Sequence, residues 1–110
     1  MLPITENEVE KACLDLLGMR GWYAVRVLCG QFLTLDKKRR VSGPPRGTPD
    51  YICSHPLYPA FFLEAKRPGG KLEFSQKFQI EAIEQGYHIP CVVVDHWEAL
   101  RDWLDRFEEE

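Results

Sequence analysis

The chain has 110 residues, a formal net charge of −3, 45% hydrophobic and 28% charged residues, and four cysteines, which is ordinary for one globular domain spanning residues 1–110. A chain of this length buries roughly 65% of its unfolded surface on folding. No apolar run approaches the ~20 residues of a membrane span, and MLPITENEVEK lacks the basic and apolar regions of a secretory leader, so the expectation is a cytoplasmic protein with no membrane partner. Cys13, Cys29, Cys53 and Cys91 are widely spaced, form no CxxC, and read as free thiols.

Thr5 with Glu8 forms a capping box that opens a helix, and Val9, Ala12, Cys13, Leu16 and Leu17 recur at helical spacing until Gly18 or Gly21 ends it. Placed at about 100° per residue, Glu6 shares the arc of Val9, Cys13, Leu16 and Leu17, whereas Glu8 points about 200° away. Glu8 is then explained by the cap. Glu6 suits the helix dipole and equally a functional role.

Trp22 to Leu28 is β-branched and aromatic, a first strand. Gln31 to Leu35 either extends it or belongs to a hairpin. Residues 36–49, DKKRRVSGPPRGTP, read as a polar loop from their Gly and Pro content. Within it Lys37, Lys38, Arg39, Arg40 and Arg46 crowd together, although net charge alone would not suggest a nucleic-acid partner.

Two short strands follow, Tyr51 to Cys53 and Ala60 to Lys66, joined by a turn through His55, Pro56 and Pro59. Their short connection predicts an antiparallel pair. Arg67 to Lys71 is a tight loop. Phe74 to Glu84 is a second helix closed by Gly86, and Cys91 to Val94 is an apolar strand. Asp95 with Glu98 is expected to cap a last helix striped by Trp97, Leu100, Trp103, Leu104 and Phe107. The order αβββαβα predicts an α/β fold, with a small mixed sheet flanked by helices and a parallel crossover through the second helix.

Polar residues stand where apolar ones are expected. Glu64 and Lys66 are two apart on a core strand, so they share a face, and burying charge is costly unless it is paired or bound to a metal. Asp50 follows Pro49, which fixes its own φ and keeps Thr48 extended, at the start of the neighbouring strand. The antiparallel pairing brings Asp50 beside Glu64. Two such carboxylates repel by about 4 kcal/mol at an effective dielectric near 20, and a hard cation such as Mg²⁺ or Mn²⁺ relieves the repulsion. Lys66 is placed to hold a water or to neutralise charge developing on a phosphate. Gln76 lies on the face of Ile80 and Ile83, and Gln79 borders it; a glutamine there needs a partner.

"GTPD" at 47–50 and "EAK" at 64–66, with thirteen residues between Asp50 and Glu64, resemble the PD-(D/E)XK nuclease signature. "TENEVEKA" in the first helix and "EAKRPGGKLEFSQ" after the third strand narrow the resemblance to the VRR-Nuc family over about Thr5 to Val94. The resemblance implies a restriction-endonuclease-like αβββαβ core with a C-terminal helix added. It also implies a Mg²⁺- or Mn²⁺-dependent deoxyribonuclease. Asp50, Glu64, the Ala65 carbonyl and Glu6 would serve the metal, Lys66 would be the catalytic lysine, and Gln76 the second-helix glutamine. The usual Ser-Pro-like cap of that helix is replaced by Glu73-Phe74, which leaves the choice between Gln76 and Gln79 open.

In such a nuclease Lys37, Lys38, Arg39, Arg40, Arg46, Arg67 and Lys71 would contact DNA phosphates. Stand-alone members resemble Holliday-junction resolvases working as homodimers on four-way DNA, whereas embedded members cut flaps as monomers. Phe74, Phe78 and Ala82 widen the apolar surface of the second helix and suggest a dimer face, unless the last helix covers them. The competing readings are a non-catalytic DNA-binding module, and an interaction protein whose charges merely pair, Glu64 with Arg67 and Asp50 with Arg46.

Overall fold

The computed structural model describes residues 2–109. The Thr5 hydroxyl accepts the Glu8 backbone N–H at 3.2 Å, satisfying one of the donors left over at a helix start, and α1 runs Glu6–Met19. It passes through Gly18 and stops at the next glycine. Gly21 takes φ +82°, a conformation that costs other residues dearly, and the chain reverses so that the Trp22 N–H reaches the Leu17 carbonyl at 2.9 Å.

Eight elements follow: β1 (Tyr23–Arg26), β2 (Gln31–Leu33), β3 (Arg40–Ser42), β4 (Tyr51–Ser54), β5 (Phe61–Ala65), α2 (Phe74–Tyr87), β6 (Cys91–Val94) and α3 (Trp97–Phe107). The main sheet has the order β1-β4-β5-β6. β4 pairs antiparallel with both β1 and β5, and β5 pairs parallel with β6. The mixed α/β sheet expected from the sequence is therefore present, with α2 as the crossover between its two parallel strands.

Alternation along β5 sorts the residues. Phe61, Leu63 and Ala65 turn to one face and join Val9, Cys13 and Leu17 of α1 and Leu100 and Leu104 of α3 in a single buried cluster. Each fully buried large side chain is worth about 1.5–3 kcal/mol. Phe62 and Glu64 point to the opposite face, which α2 covers without burying any residue of its own. The four cysteines are free, Cys13 and Cys53 within the core and Cys29 and Cys91 half-buried. Burial pushes the Cys13 and Cys53 thiols up, to about 11 and about 12.

Three local expectations change. Residues 36–49 are not all loop: Arg40–Ser42 pairs antiparallel with Gln31–Leu33, so the basic run occupies the tip of a hairpin. Lys37 supplies the positive-φ turn position (φ 60°), and the Asp36 carboxylate accepts the Lys38 N–H at 3.0 Å. Helix α2 runs through Gly86 and ends at His88, which adopts the left-handed cap itself (φ 57°). Asp95 does not cap α3, whose N-cap is His96 without a side-chain bond; Asp95 instead accepts the Gly69 N–H at 3.0 Å. Among the described residues no helix is long and apolar enough to cross a membrane.

Candidate functional site

The site forms where β4 begins and β5 ends. Tyr51 pairs with Leu63 in the β4–β5 register, and one further step along each strand sets Asp50 opposite Glu64. Directly opposed side chains on one face stand about 4.5–5.5 Å apart at Cβ. The Asp50 backbone is also held from the other side, its carbonyl accepting the Val27 N–H at 2.7 Å. Pro49, fully buried, anchors the approach.

Glu64 is the one polar residue buried among the described residues, with 2% of its surface exposed. Its Oε2 takes two interactions. The Gln76 amide donates to it at 3.3 Å, and the Lys66 ammonium stands 3.6 Å away with its side chain 14% exposed. Its Oε1 is buried and has no hydrogen-bond partner. Burial first, and then the adjacent Asp50 carboxylate, raise the Glu64 carboxyl to about 7, against an opposing pull from Lys66.

A buried carboxylate oxygen without a hydrogen-bond partner, on a residue whose carboxyl feels a second carboxylate, suits a hard divalent cation. Asp50 and Glu64 thus have the donor chemistry that would suit a Mg²⁺- or Mn²⁺-type ion. Ala65 is buried on the core side, so only its backbone stands at the level of Glu64 and Lys66. Glu6 makes no side-chain hydrogen bond or ion pair with either carboxylate's partners among the described residues. It is exposed and lines a cleft with Thr5, Arg67 and Pro68, and among the described residues no group of three His, Cys, Asp or Glu side chains gathers to hold a metal.

The two candidate glutamines separate clearly. Gln76 Oε1 accepts the Glu73 N–H at 2.8 Å while its amide nitrogen reaches Glu64, so one side chain caps α2 and holds the carboxylate. Glu73 is the N-cap residue of α2. Gly47 makes this docking possible. A Cβ there would stand 2.3 Å from the Ser75 carbonyl oxygen, and its φ is +94°. Only glycine lets the Gly47–Asp50 loop sit directly on the first turn of α2. Gln79, one turn on, lines a separate groove.

The sequence reading missed a second polar group on the α1 side. Arg26 donates to Glu10 at 3.0 Å and to the Tyr51 hydroxyl at 3.1 Å, and its guanidinium lies 5.6 Å from the centre of the Tyr51 ring. The Tyr51 hydroxyl also donates to Glu10. Asp50 is close enough to add to the field on Arg26. The available signal was Glu10 lying four residues after Glu6 on the same helix face.

The basic residues are arranged without partners. Lys37, Lys38, Arg39, Arg40, Arg46, Arg67 and Lys71 are exposed, and among the described residues none of them joins an ion pair. The pairs Glu64–Arg67 and Asp50–Arg46, which a purely structural role for the acids would require, are not formed. The Arg67 to Gly70 turn is tied to the start of α3 through Asp95, whose carboxyl is held below its ordinary range first by the Gly69 N–H and then by His96. No protein-family model matches the chain, and no curated protein sequence matches it.

Proposed function

We propose that the chain is a Mg²⁺- or Mn²⁺-dependent deoxyribonuclease built on a restriction-endonuclease-like core. The observation that supports it most is Glu64 Oε1, a buried oxygen left without a donor beside a second carboxylate and within ion-pair range of a lysine. A protein that only needed structural charge would have paired that oxygen.

Asp50 and Glu64 would hold the cation, which when bound would supply charge neutralisation at a phosphate and a more acidic water. Gln76 fixes the orientation of Glu64 by occupying Oε2, leaving Oε1 for the ion. Lys66 keeps its ammonium on the same face, where it donates to the attacking water or to a phosphate oxygen as charge develops. Arg67 and Lys71 lie at the end of the strand that carries it, and the hairpin tip offers four more cations to a backbone.

The substrate reading is branched DNA, with four-way junctions cut by a homodimer. Phe74 and Phe78 of α2 are 84% and 61% exposed, and α3, which could have covered them, packs against α1 on the other face of the sheet. A two-fold contact through this stripe would set two sites across one junction.

Calorimetric titration with Mn²⁺ and cleavage of linear, flapped, forked and four-way DNA test this function, with sedimentation at micromolar concentration for the assembly. Binding of Mn²⁺ and paired cuts in four-way DNA by a dimer are expected. A strict monomer that cuts flaps and leaves four-way junctions intact would overturn the substrate reading, and absence of any divalent binding would overturn the enzyme.

A further inference from the structure

Beside the cation site lies an open groove of about 450 Å³ between α2 and the Pro44–Thr48 segment. Phe62 lines it from the sheet, two residues before Glu64 on the same face of β5, which is about 6.6 Å along the strand. Gln79 and Ile83 line it from the helix, and Gln79 follows Gln76 by one turn. The carboxylate pair and the groove therefore share one strand and one helix. Their separation matches the reach from a nucleotide's phosphate to its own base.

The lining has the chemistry of a base site. Phe62 and Tyr87 offer aromatic faces, and Ile83 and Pro45 offer apolar walls. Gln79 alone among the helix residues here brings an amide, and among the described residues that amide has no side-chain hydrogen bond, unlike that of Gln76. An aliphatic occupant would leave the amide unmatched at a cost. A heteroaromatic ring presents apolar faces and a hydrogen-bonding edge together. The loop wall is already formed, since the Thr48 hydroxyl donates to the Pro45 carbonyl at 2.6 Å and the Gly30 N–H donates to the Pro44 carbonyl at 3.2 Å.

We propose that this groove receives one unstacked nucleobase of the strand whose phosphate lies at Asp50 and Glu64. The proposal rests on the nuclease reading and names what that site selects. It demands a base that can leave its stack, which is easiest at a mismatch or where a duplex is already open, as it is beside a branch point.

The test uses the full chain carrying Lys66→Ala, without divalent cations, and a trinucleotide with 2-aminopurine at its centre. Binding should quench the fluorescence. Tyr87→Ala and Gln79→Leu, added separately, should each weaken binding about tenfold, the scale of one lost base contact. Tyr87 is 75% exposed, so its replacement leaves the fold intact. An abasic trinucleotide added as a competitor should displace the fluorescent probe about tenfold less well than a base-bearing competitor. Equal affinities for the base-bearing and abasic competitors, or quenching unaffected by both groove substitutions, would overturn the base site.

Cleavage of branched DNA by the unmodified chain is scored separately. Base-dependent binding without any cleavage would refute the nuclease reading and keep the groove. Cleavage indifferent to an abasic nucleotide at the cut would refute the groove and keep the nuclease. Groove substitutions that dissociate a dimer while leaving the fluorescence unchanged would assign the groove to a second copy and also overturn the proposal.

Discussion

The two faces of the sheet are built to different standards. On the α1–α3 face, β5 contributes Phe61, Leu63 and Ala65, all exposed by 1% or less, against Cys13, Leu17, Leu100 and Leu104, which are fully buried. On the α2 face the same strand contributes half-buried Phe62 and the charged Glu64, and α2 buries nothing. One face supplies most of the folding energy. The other carries a buried carboxylate with an unpaired oxygen, a cost that the first face tolerates.

The largest effect should come from the chemical face. Lys66→Ala is expected to reduce cleavage by at least about a thousandfold, the scale of losing a charge that acts on the reacting phosphate. Its melting temperature should stay near that of the parent, and Mn²⁺ and DNA should still bind. Asp50→Ala and Glu64→Ala should lose Mn²⁺ binding as well as cleavage. Cleavage by Lys66→Ala at the parental rate would break the division between the faces, because the one lysine inside the site would then do no chemistry.

The reciprocal change belongs to the core. Phe61→Ala should cost about 3–5 kcal/mol, since Phe61 is fully buried and its ring packs edge-on against Trp22 at 4.9 Å and tilted against Trp103 at 4.7 Å. Urea denaturation followed by tryptophan fluorescence measures it. A loss below about 1 kcal/mol would mean that this face is not the densely packed one.

Glu64→Gln sharpens the comparison by reversing the usual sign. The Glu64 carboxyl has an ordinary value of 4.5 and sits at about 7 in the fold. Below about 4.5 it is protonated in both the folded and the unfolded chain, and it costs nothing. As pH rises from there to about 7 the unfolded chain releases its proton and the fold does not, so stability falls; above about 7 the loss is complete. At 1.36 kcal/mol per unit the loss is on the order of 3 kcal/mol. In the absence of divalent ions, Glu64→Gln should therefore be the more stable protein at pH 8, with the advantage fading toward pH 4.5. Added Mg²⁺ or Mn²⁺ should raise the melting temperature of the parent and leave that of Glu64→Gln unchanged. A variant that is less stable than the parent at pH 8 would show that Glu64 carries no stored cost.

How far the sequence could be read follows the same division. The alternation Phe61 to Lys66 has a period of two, so the shared face of Glu64 and Lys66 was legible, and the short turn between β4 and β5 was enough to bring Asp50 to Glu64. The choice between Gln76 and Gln79 was not legible. Both lie on the inner side of α2, and the decision rests on Gly47 meeting Ser75, a contact between residues 28 apart in sequence. Glu6 illustrates the converse. The helical arc groups it with Val9, Cys13 and Leu17, yet in the first turn it is exposed, whereas Glu10, one turn on, meets Arg26 and Tyr51. Strand β3 escaped notice because Val41 is its only apolar residue, and a run of cations reads as loop until a partner strand pairs with it.

The smallest expected effect concerns that hairpin, which belongs to neither face. Its turn is held by backbone and acceptor groups rather than by its cations: the Thr34 N–H donates to the Arg39 carbonyl at 2.9 Å and the Lys37 N–H to the Thr34 carbonyl at 2.8 Å. Replacing Lys38, Arg39 and Arg40 together with alanine should therefore change stability by no more than about 0.5 kcal/mol. Lys37 is best left in place, because its positive φ makes any substitution a test of backbone strain as well as of charge. If the three cations meet phosphates, the slope of log affinity against log salt should flatten by up to about three, with weaker binding at every salt concentration. Cleavage at saturating DNA should be unchanged, since the three lie on the separate two-stranded hairpin and none contacts Glu64. A slope equal to that of the parent would make the hairpin tip a solvated turn, and DNA binding would then rest on the other exposed cations, Arg46, Arg67 and Lys71.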